Sequence, residues 1–200
     1  SWALLGQEIG DQINDWFSRD VDLAQERPRP NLGRYHWLRR IHETAIYPGL
    51  VAAEIFRTGS GWWQPDDWGS WTKASGGALT LNVDHAEGPL KVYVGLLGLA
   101  STDVDFIISL GGATVRSGTL ERSETRWLSL SVSPEQYATG TIHLTIWGAQ
   151  KEDFSVTTKG VDTRVVSVGV IGFMVCRADD FRARVAFTEA LALDELPQLA

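Results

Sequence analysis

The sequence predicts a mostly β protein: an antiparallel β-sandwich or jelly roll of about eight strands, with N-terminal helices and a C-terminal helix. The first observation is a hydrophobic period of two that runs through residues 50–177. The second is that the alternating segments are short and are separated by clusters of Gly, Pro, Asp and Ser. The third is that helical periodicity occurs only at the two ends of the chain, which favours antiparallel connections between the strands.

Residues 1–49 are predicted to form a helical N-terminal extension. In 1–20 the apolar residues recur at helical spacing: Leu4, Leu5, Ile9, Ile13, Trp16 and Phe17. The sequence Arg-Pro-Arg-Pro at 27–30 breaks this pattern and is predicted to be an extended connector. A second helix is predicted over 32–47, because Pro48 and Gly49 end its pattern.

Residues 50–177 are predicted to form the sandwich. The segments with strand character are 51–58, 78–84, 90–99, 104–110, 113–120, 126–132, 141–147 and 165–176. In 141–147 the alternation places Ile142, Leu144 and Ile146 on one side, and His143, Thr145 and Trp147 on the other. We therefore expect this strand to have one buried face and one polar face.

Residues 178–200 are predicted to form a C-terminal helix and linker. The helical period covers 178–196, and Pro197 ends it. Asp179 and Asp180 stand at its start, where the helix dipole favours negative charge.

Composition argues against several classes of partner. A net charge of −7 without a basic stripe argues against nucleic acid and anionic membrane surfaces. The longest apolar run, 165–176, is too short to span a bilayer as a helix, and the N-terminus does not resemble a signal peptide. Cys176 is the single cysteine and lies within that run, so we expect a cytoplasmic domain with no internal disulfide.

A tryptophan-rich loop stands out between the first two predicted strands. Four of the nine tryptophans fall within ten positions, together with two carboxylates, and the residues are Trp62, Trp63, Asp66, Asp67, Trp68 and Trp71. Pro65 and Gly69 are incompatible with a continuous strand, so the segment is predicted to be a loop. The rings either fold inward over the core or form a platform on which a sugar ring stacks while the aspartates accept hydrogen bonds from its hydroxyls.

A second aromatic group lies on predicted polar strand faces. Alternation assigns Trp127 and Trp147 to the same class of face as His143. An exposed Trp on a sheet face is unusual, so this face is either a ligand groove or is covered by the N-terminal helices.

No catalytic, metal or cofactor motif is recognisable. The sequence has no G-x-S-x-G, no H-E-x-x-H, no phosphate-binding glycine loop and no cysteine pair. A glycosidase would need two carboxylates across a sugar site; Asp66 or Asp67 is a candidate for one of them, and Asp103, Asp105 and Asp153 are candidates for the second. Asp162-Thr163-Arg164, before the last predicted strand, is interpreted as a structural charge pair. We therefore predict no enzyme activity, no metal and no cofactor for this chain by itself.

The loop nevertheless resembles a known pattern. Gly61-Trp62, Pro65-Asp66, Trp68-Gly69 and Trp71-Thr72 are similar to a G-W-x-x-P-E-x-W-G-x-W-S pattern in accessory β-sandwich domains attached to bacterial glycosyltransferases of surface-polysaccharide synthesis. The resemblance covers about residues 50–195, and only the Trp loop is specific. This chain departs from the pattern at Asp66, where Glu is usual, and at Thr72, where Ser is usual. The resemblance implies a non-catalytic module that handles glycan beside a glycosyltransferase.

These observations lead to one predicted function and two alternatives. The predicted function is a carbohydrate-binding or accessory module of a larger bacterial glycosyltransferase, with a glycan or polysaccharide intermediate and the neighbouring transferase domain as partners. The alternatives are a protein-interaction module with buried aromatics and, more distantly, a glycan-active hydrolase or lyase. The predicted ligand-binding residues are Trp62, Trp63, Asp66, Asp67, Trp68, Trp71, His143 and Trp147.

Overall fold

The computed structural model describes residues 29–40, 55–84 and 87–200. Numbered in chain order, its strands are β1 (Tyr35–Trp37), β2 (Arg57–Thr58), β3 (Ser70–Trp71), β4 (Gly77–Asn82), β5 (Leu90–Leu97), β6 (Val104–Leu110), β7 (Ala113–Leu120), β8 (Thr125–Val132), β9 (Thr141–Gly148), β10 (Glu152–Asp153), β11 (Val165–Val166) and β12 (Gly169–Arg177). Its α-helices are α1 (Phe154–Thr157) and α2 (Phe181–Ala192).

Two antiparallel sheets build the molecule. Sheet I has the order β1-β12-β5-β8, and β3 also pairs with β12. Sheet II has the order β2-β4-β9-β6-β7, and a separate two-stranded pair is formed by β10 and β11. The predicted mostly β fold, a sandwich with a C-terminal helix, is confirmed.

The core lies between the sheets and follows the predicted alternation. On β9, Ile142, Leu144 and Ile146 are fully buried, whereas His143 and Trp147 are exposed. Burying each such aliphatic side chain stabilises the fold by about 1.5–3 kcal/mol relative to exposure. Side chains alternate along β4 and β9, so the residues between the buried ones lie on the outer face of sheet II.

Helix α2 covers the outer face of sheet I. The Phe187 ring lies 4.7 Å from the ring of Tyr93 and 5.3 Å from that of Trp127, centroid to centroid. The helix begins at an aspartate cap, because Asp180 Oδ1 accepts a hydrogen bond from the Ala183 backbone N–H at 3.0 Å. The observed helix is shorter than the predicted 178–196 because this cap sets its start and Leu193 ends it.

The predicted second helix is wrong where it can be examined. Residues 35–37 form strand β1, which pairs with β12 in the register Tyr35↔Met174. Aromatic residues have a high strand propensity, and pairing with the long strand β12 overrides the weak helical pattern. The helix predicted over 1–20 and the continuation of the second one through 41–47 lie outside the described residues.

Candidate functional site

The Trp loop, defined as residues 61–72, closes one end of the sandwich as a narrow hairpin. Trp62 forms an isolated antiparallel bridge with Thr72, and the Trp63 backbone N–H donates to the Trp71 carbonyl at 3.0 Å. A tight turn at the tip is closed by the Asp66 N–H, which donates to the Gly69 carbonyl at 2.7 Å. The hairpin is joined to sheet I through β3.

Two of the four loop tryptophans are buried. Trp62 is 9% exposed and its Nε1–H donates to the Ala78 carbonyl at 2.9 Å. Trp71 is 8% exposed, and its ring meets that of Trp68 edge-on at 4.9 Å. Gly77 makes room for the first ring, because a Cβ at this position would lie 2.6 Å from Trp62 ring carbons.

The other two loop tryptophans are half-buried and serve as hydrogen-bonding partners. The Trp63 Nε1–H donates to the Val165 carbonyl at 2.9 Å. The Trp68 carbonyl accepts from the Trp37 Nε1–H at 2.7 Å. The four rings therefore do not form the open platform allowed by the sequence, because Trp62 and Trp71 are buried and the indole N–H groups of Trp62 and Trp63 are bonded to backbone carbonyls.

An arginine bridge holds the loop in place. Arg164 Nη1 donates to both carboxylate oxygens of Asp66, at 3.2 and 3.1 Å, and Arg164 Nη2 donates to Asp162 at 2.7 Å. Arg40 Nε donates to the Pro65 carbonyl at 3.2 Å. The hydrogen bonds from Arg164 hold the pKa of Asp162 below its usual value. The Asp66 carboxylate therefore already has a hydrogen-bonding partner within the protein. Asp67 lies on the turn and its side chain is exposed.

The outer face of sheet II presents an exposed aromatic group. Trp147 is 39% exposed and is paired in register with Ile107 on β6, which is 36% exposed. Farther along β9, His143 Nδ1 lies 3.1 Å from Thr80 Oγ1, and that hydroxyl lies 2.9 Å from Thr58 Oγ1. An apolar patch and a row of polar groups therefore share this face.

Trp127 and Trp147 do not share one groove. Trp127 lies on the outer face of sheet I, where Phe187 of α2 and Tyr35 of β1 pack against its ring at 5.3 and 5.9 Å. A ligand groove and covering by the N-terminal helices were the two interpretations of this class of face, and the contact observed at Trp127 comes from the C-terminal helix. Trp147 belongs to the other sheet and is exposed.

A shallow depression adjoins the Trp loop. Its volume is about 210 Å³, and its lining residues are Arg57, Gly59, Trp62, Trp63 and Gln64. Sequence reasoning singled out the two tryptophans but missed Arg57, Gln64 and the nearby Lys73. Their only sequence signal is proximity to the Trp loop, because a lone Arg, Gln or Lys on a predicted strand or turn is ordinary surface composition.

Of the predicted site residues, only some lie together. Trp62, Trp63, Trp68 and Trp71 are gathered at the loop, while His143 and Trp147 lie on the outer face of sheet II.

Within residues 29–40, 55–84 and 87–200, no group of three or more His, Cys, Asp and Glu is placed to hold a metal ion. In the same residues, none of the helices has the length and hydrophobicity needed to cross a membrane.

Comparison with known proteins shows likeness in fold only. No protein-family model matches the sequence, and no curated protein matches it. The structure is similar to the CBM22-1 xylan-binding domain of Paenibacillus barcinonensis Xyn10C, with a TM-score of 0.43 and 12% identity over 74% of this chain and 95% of that one. It is also similar to the CBM22-2 xylan-binding domain of the same protein, with a TM-score of 0.33 and 10% identity over 52% of this chain and 71% of that one.

A third neighbour is an enzyme. The exo-β-1,3-galactanase of Phanerochaete chrysosporium matches with a TM-score of 0.32 and 16% identity over 60% of this chain and 26% of that one. The neighbours thus include carbohydrate-binding modules and a glycan-active enzyme, and the match to the enzyme is partial. At these identities and TM-scores, the likenesses assign neither a family nor a ligand to this chain.

Proposed function

We propose that this chain is a non-catalytic carbohydrate-binding module whose sugar site is the outer face of sheet II around Trp147. One observation carries the proposal: among the tryptophans of the described residues, Trp147 alone is exposed, and it lies beside Ile107 on a sheet face with His143 and threonine hydroxyls. The exposed 39% of Trp147 forgoes part of the about 1.5–3 kcal/mol that full burial of a large apolar side chain provides, and a ligand that covers the ring would recover that part.

The chemistry of this face matches that of a sugar. One side of a sugar ring is a surface of C–H bonds, which stacks on an indole, while its edge carries hydroxyls that both donate and accept hydrogen bonds. Thr145 lies between His143 and Trp147 on the same face of β9, and its register partner on β6 is Ser109. His143 and Trp147 are four positions apart on β9, about 13 Å at a rise of about 3.3 Å per residue, so more than one sugar ring would contact this face.

The wider context follows from the Trp loop. Its resemblance to accessory domains of bacterial glycosyltransferases supports a cytoplasmic module beside a polysaccharide-synthesising enzyme, with a polysaccharide intermediate as the ligand. On this proposal Trp68 and Trp71 shape the end of the sandwich, and Asp66 holds the loop through Arg164. Trp63 and Asp67 lie at the rim of the loop, where a longer glycan would reach them.

Isothermal titration of the whole chain with xylo-, gluco-, manno- and galacto-oligosaccharides tests the proposal. We expect at least one series to bind, and Trp147→Ala to weaken that binding about tenfold, because a stacked aromatic contributes about 0.5–1.5 kcal/mol in addition to the apolar area that it buries. The melting temperature should remain close to that of the parent protein, because the ring is exposed.

Phe181→Ala is the matched control for this variant. Phe181 is an exposed aromatic residue on α2, which covers sheet I, so its removal should leave saccharide binding unchanged. Equal losses in the two variants, or full binding by Trp147→Ala, would overturn the assignment of the site to sheet II.

A second candidate function is protein docking. It is favoured by α2, on which Phe181 is 68% and Val185 55% exposed, and by Leu193 at its C-terminal end, which is 67% exposed. Such a row of exposed apolar residues is typical of a surface that packs against another domain. Absence of binding to every oligosaccharide, together with burial of these residues against a neighbouring domain of the same polypeptide, would favour this function.

A further inference from the structure

Asp105 carries the one carboxylate in the interior strands of sheet II. These strands are β4, β9 and β6, and their residues include no other Asp or Glu and no Lys or Arg. Asp105 stands between buried Val104 and buried Phe106, so its side chain lies on the outer face, as that of Ile107 does. A single carboxylate therefore stands on a face whose remaining polar groups are mainly hydroxyls.

The strand register places this carboxylate close to Trp147. Ile107 pairs directly with Trp147. Two positions earlier on β6, the Asp105 carbonyl accepts a hydrogen bond from the Ala149 backbone N–H at 2.9 Å. Asp105 is therefore the diagonal neighbour of Trp147 on the same face, and diagonal neighbours in a sheet are about 7–8 Å apart. A sugar ring stacked on the indole would extend the hydroxyls of its edge toward this carboxylate.

The Asp105 carboxylate is held in one position by two donors. Thr119 Oγ1 donates to Oδ1 at 2.6 Å, and Gln150 Nε2 donates to Oδ2 at 3.1 Å. The Gln150 Oε1 also accepts from the Asp105 backbone N–H at 2.7 Å, so this amide holds both the backbone and the side chain. The hydrogen bonds from Thr119 and Gln150 hold the pKa of Asp105 below its usual value, so the carboxylate stays ionised. A group ordered in this way loses little conformational freedom when a ligand binds.

The carboxylate retains capacity for a ligand. An ionised carboxylate has about four acceptor sites, and the hydrogen bonds from Thr119 and Gln150 use one on each oxygen. No ion pair in the described part of the chain involves Asp105. Arg116 of β7 pairs in register with buried Ile108 and therefore belongs to the opposite face of the sheet. The remaining acceptor sites can thus bind hydroxyls, and no cation among the described residues neutralises the carboxylate at ion-pair distance.

We propose that Asp105 determines the specificity of the site around Trp147 and selects uncharged sugar rings over uronic acids. Its carboxylate accepts hydrogen bonds from hydroxyls of the ring that stacks on the indole, and hydrogen bonds to an ionised acceptor are about twice as strong as neutral ones. A sugar carboxylate at the same place has no proton to donate and is repelled by the like charge. The inference rests on the proposed function, because it names the ligand class of the same site.

The test compares neutral saccharides with their acidic counterparts. Gluco-, manno- and galacto-oligosaccharides are titrated into the whole chain before and after oxidation of their primary alcohols to carboxylates. At about 0.05 M salt, we expect each series that binds to bind at least about tenfold more tightly in its neutral form. Raising the salt to about 0.5 M should narrow this difference, because salt screens the repulsion between exposed charges.

Asp105→Asn is the test variant and Asp179→Asn its matched control. The Asp179 side chain is 69% exposed directly before α2, which covers sheet I, so its change removes the same charge far from the site. We expect Asp105→Asn to weaken binding of the neutral saccharide that the parent binds most tightly by about tenfold, and to reduce the preference over acidic forms. Asp179→Asn should leave both quantities unchanged.

Thr119→Val separates the position of the carboxylate from its charge. This variant removes the hydroxyl that donates to Asp105 Oδ1 but keeps the negative charge. We expect neutral saccharides to bind about threefold more weakly, because the carboxylate is less ordered, while the preference over acidic forms is retained. The melting temperatures of these variants should remain close to that of the parent, because Asp105 and Thr119 are exposed.

The outcomes separate this inference from the proposed function. Binding that is weakened in Trp147→Ala but unchanged in Asp105→Asn overturns the inference and leaves the proposed function standing, and so does equal or tighter binding of the acidic forms by the parent. Weaker binding in both variants, with the preference for neutral saccharides reduced in Asp105→Asn, supports the inference. Absence of binding by the parent, or full binding by Trp147→Ala, overturns both.

Discussion

Trp71 and Trp147 show that the same side chain has opposite roles in this molecule. Trp71 is 8% exposed and packs against Trp68 and against Phe154, whose ring lies 5.7 Å away. Trp147 is 39% exposed on a sheet face. Because the two rings differ mainly in burial, we expect removal of Trp71 to lower mainly the stability of the fold, and removal of Trp147 to weaken mainly the binding of saccharide.

We predict that Trp71→Ala lowers the free energy of unfolding by about 3–5 kcal/mol, because it leaves a cavity in the core. Urea denaturation followed by circular dichroism measures this loss. Trp147→Ala is the matched control and should change the free energy of unfolding by less than about 1 kcal/mol. Similar losses in the two variants would contradict the structural role of Trp71.

At the scale of elements, the notable feature is the connection between the Trp loop and the segment that contains β10, α1 and β11. Arg164, directly before β11, contacts Asp162 in its own segment and Asp66 in the loop. All three side chains are about one quarter exposed or less. The connection is therefore partly shielded from water, where an ion pair with bidentate geometry is stronger than on the open surface.

We predict that Arg164→Lys lowers the free energy of unfolding by about 1–2 kcal/mol, because lysine cannot bind two carboxylates with a planar fork. Arg177→Lys is the matched control, since Arg177 pairs with Asp179 where the two side chains are 51% and 69% exposed. That change should cost less than about 0.5 kcal/mol. Equal midpoints of urea unfolding for the two variants would show that the bridge at Asp66 does not stabilise the loop.

At the scale of the whole molecule, β1 joins the edge of sheet I to the core. His36 points inward and stacks on Phe173 at 4.9 Å, with Phe56 edge-on at 5.0 Å. Burial lowers the pKa of His36 to about 4, against a smaller opposing effect of its hydrogen bond with the Asn31 backbone. The folded protein therefore keeps this imidazole neutral at pH values where the unfolded chain protonates it.

We predict that this histidine makes the whole domain less stable in mild acid. Because the folded pKa lies below the unfolded value of about 6.5, its contribution is fully present above pH 6.5 and is lost as the pH falls toward 4. The loss reaches about 3 kcal/mol at pH 4, from about 1.4 kcal/mol per pH unit. Urea unfolding of the parent and of His36→Phe between pH 4 and 7.5 measures it, and parallel pH profiles for the two proteins would contradict the prediction.

The strands could be predicted because burial on one face leaves a period of two. Segments 104–110 and 113–120 were predicted with the bounds that β6 and β7 have, and the predicted 165–176 differs mainly by the break between β11 and β12. The short strands β3 and β10 were missed, because two residues show no period. Strand β1 was assigned to a helix, since its pairing with β12 is a contact between residues far apart in the sequence.

By itself, the sequence determined the sandwich, its inward residues and the clustering of tryptophans in one loop, because alternation and turn residues act locally. The tertiary structure alone decided which indoles face water. Trp62 and Trp71 lie under neighbouring strands, Trp127 lies under α2, and Trp147 remains exposed. The physical reason is that burial depends on which element packs over a residue, and these contacts join parts of the chain that no local pattern connects.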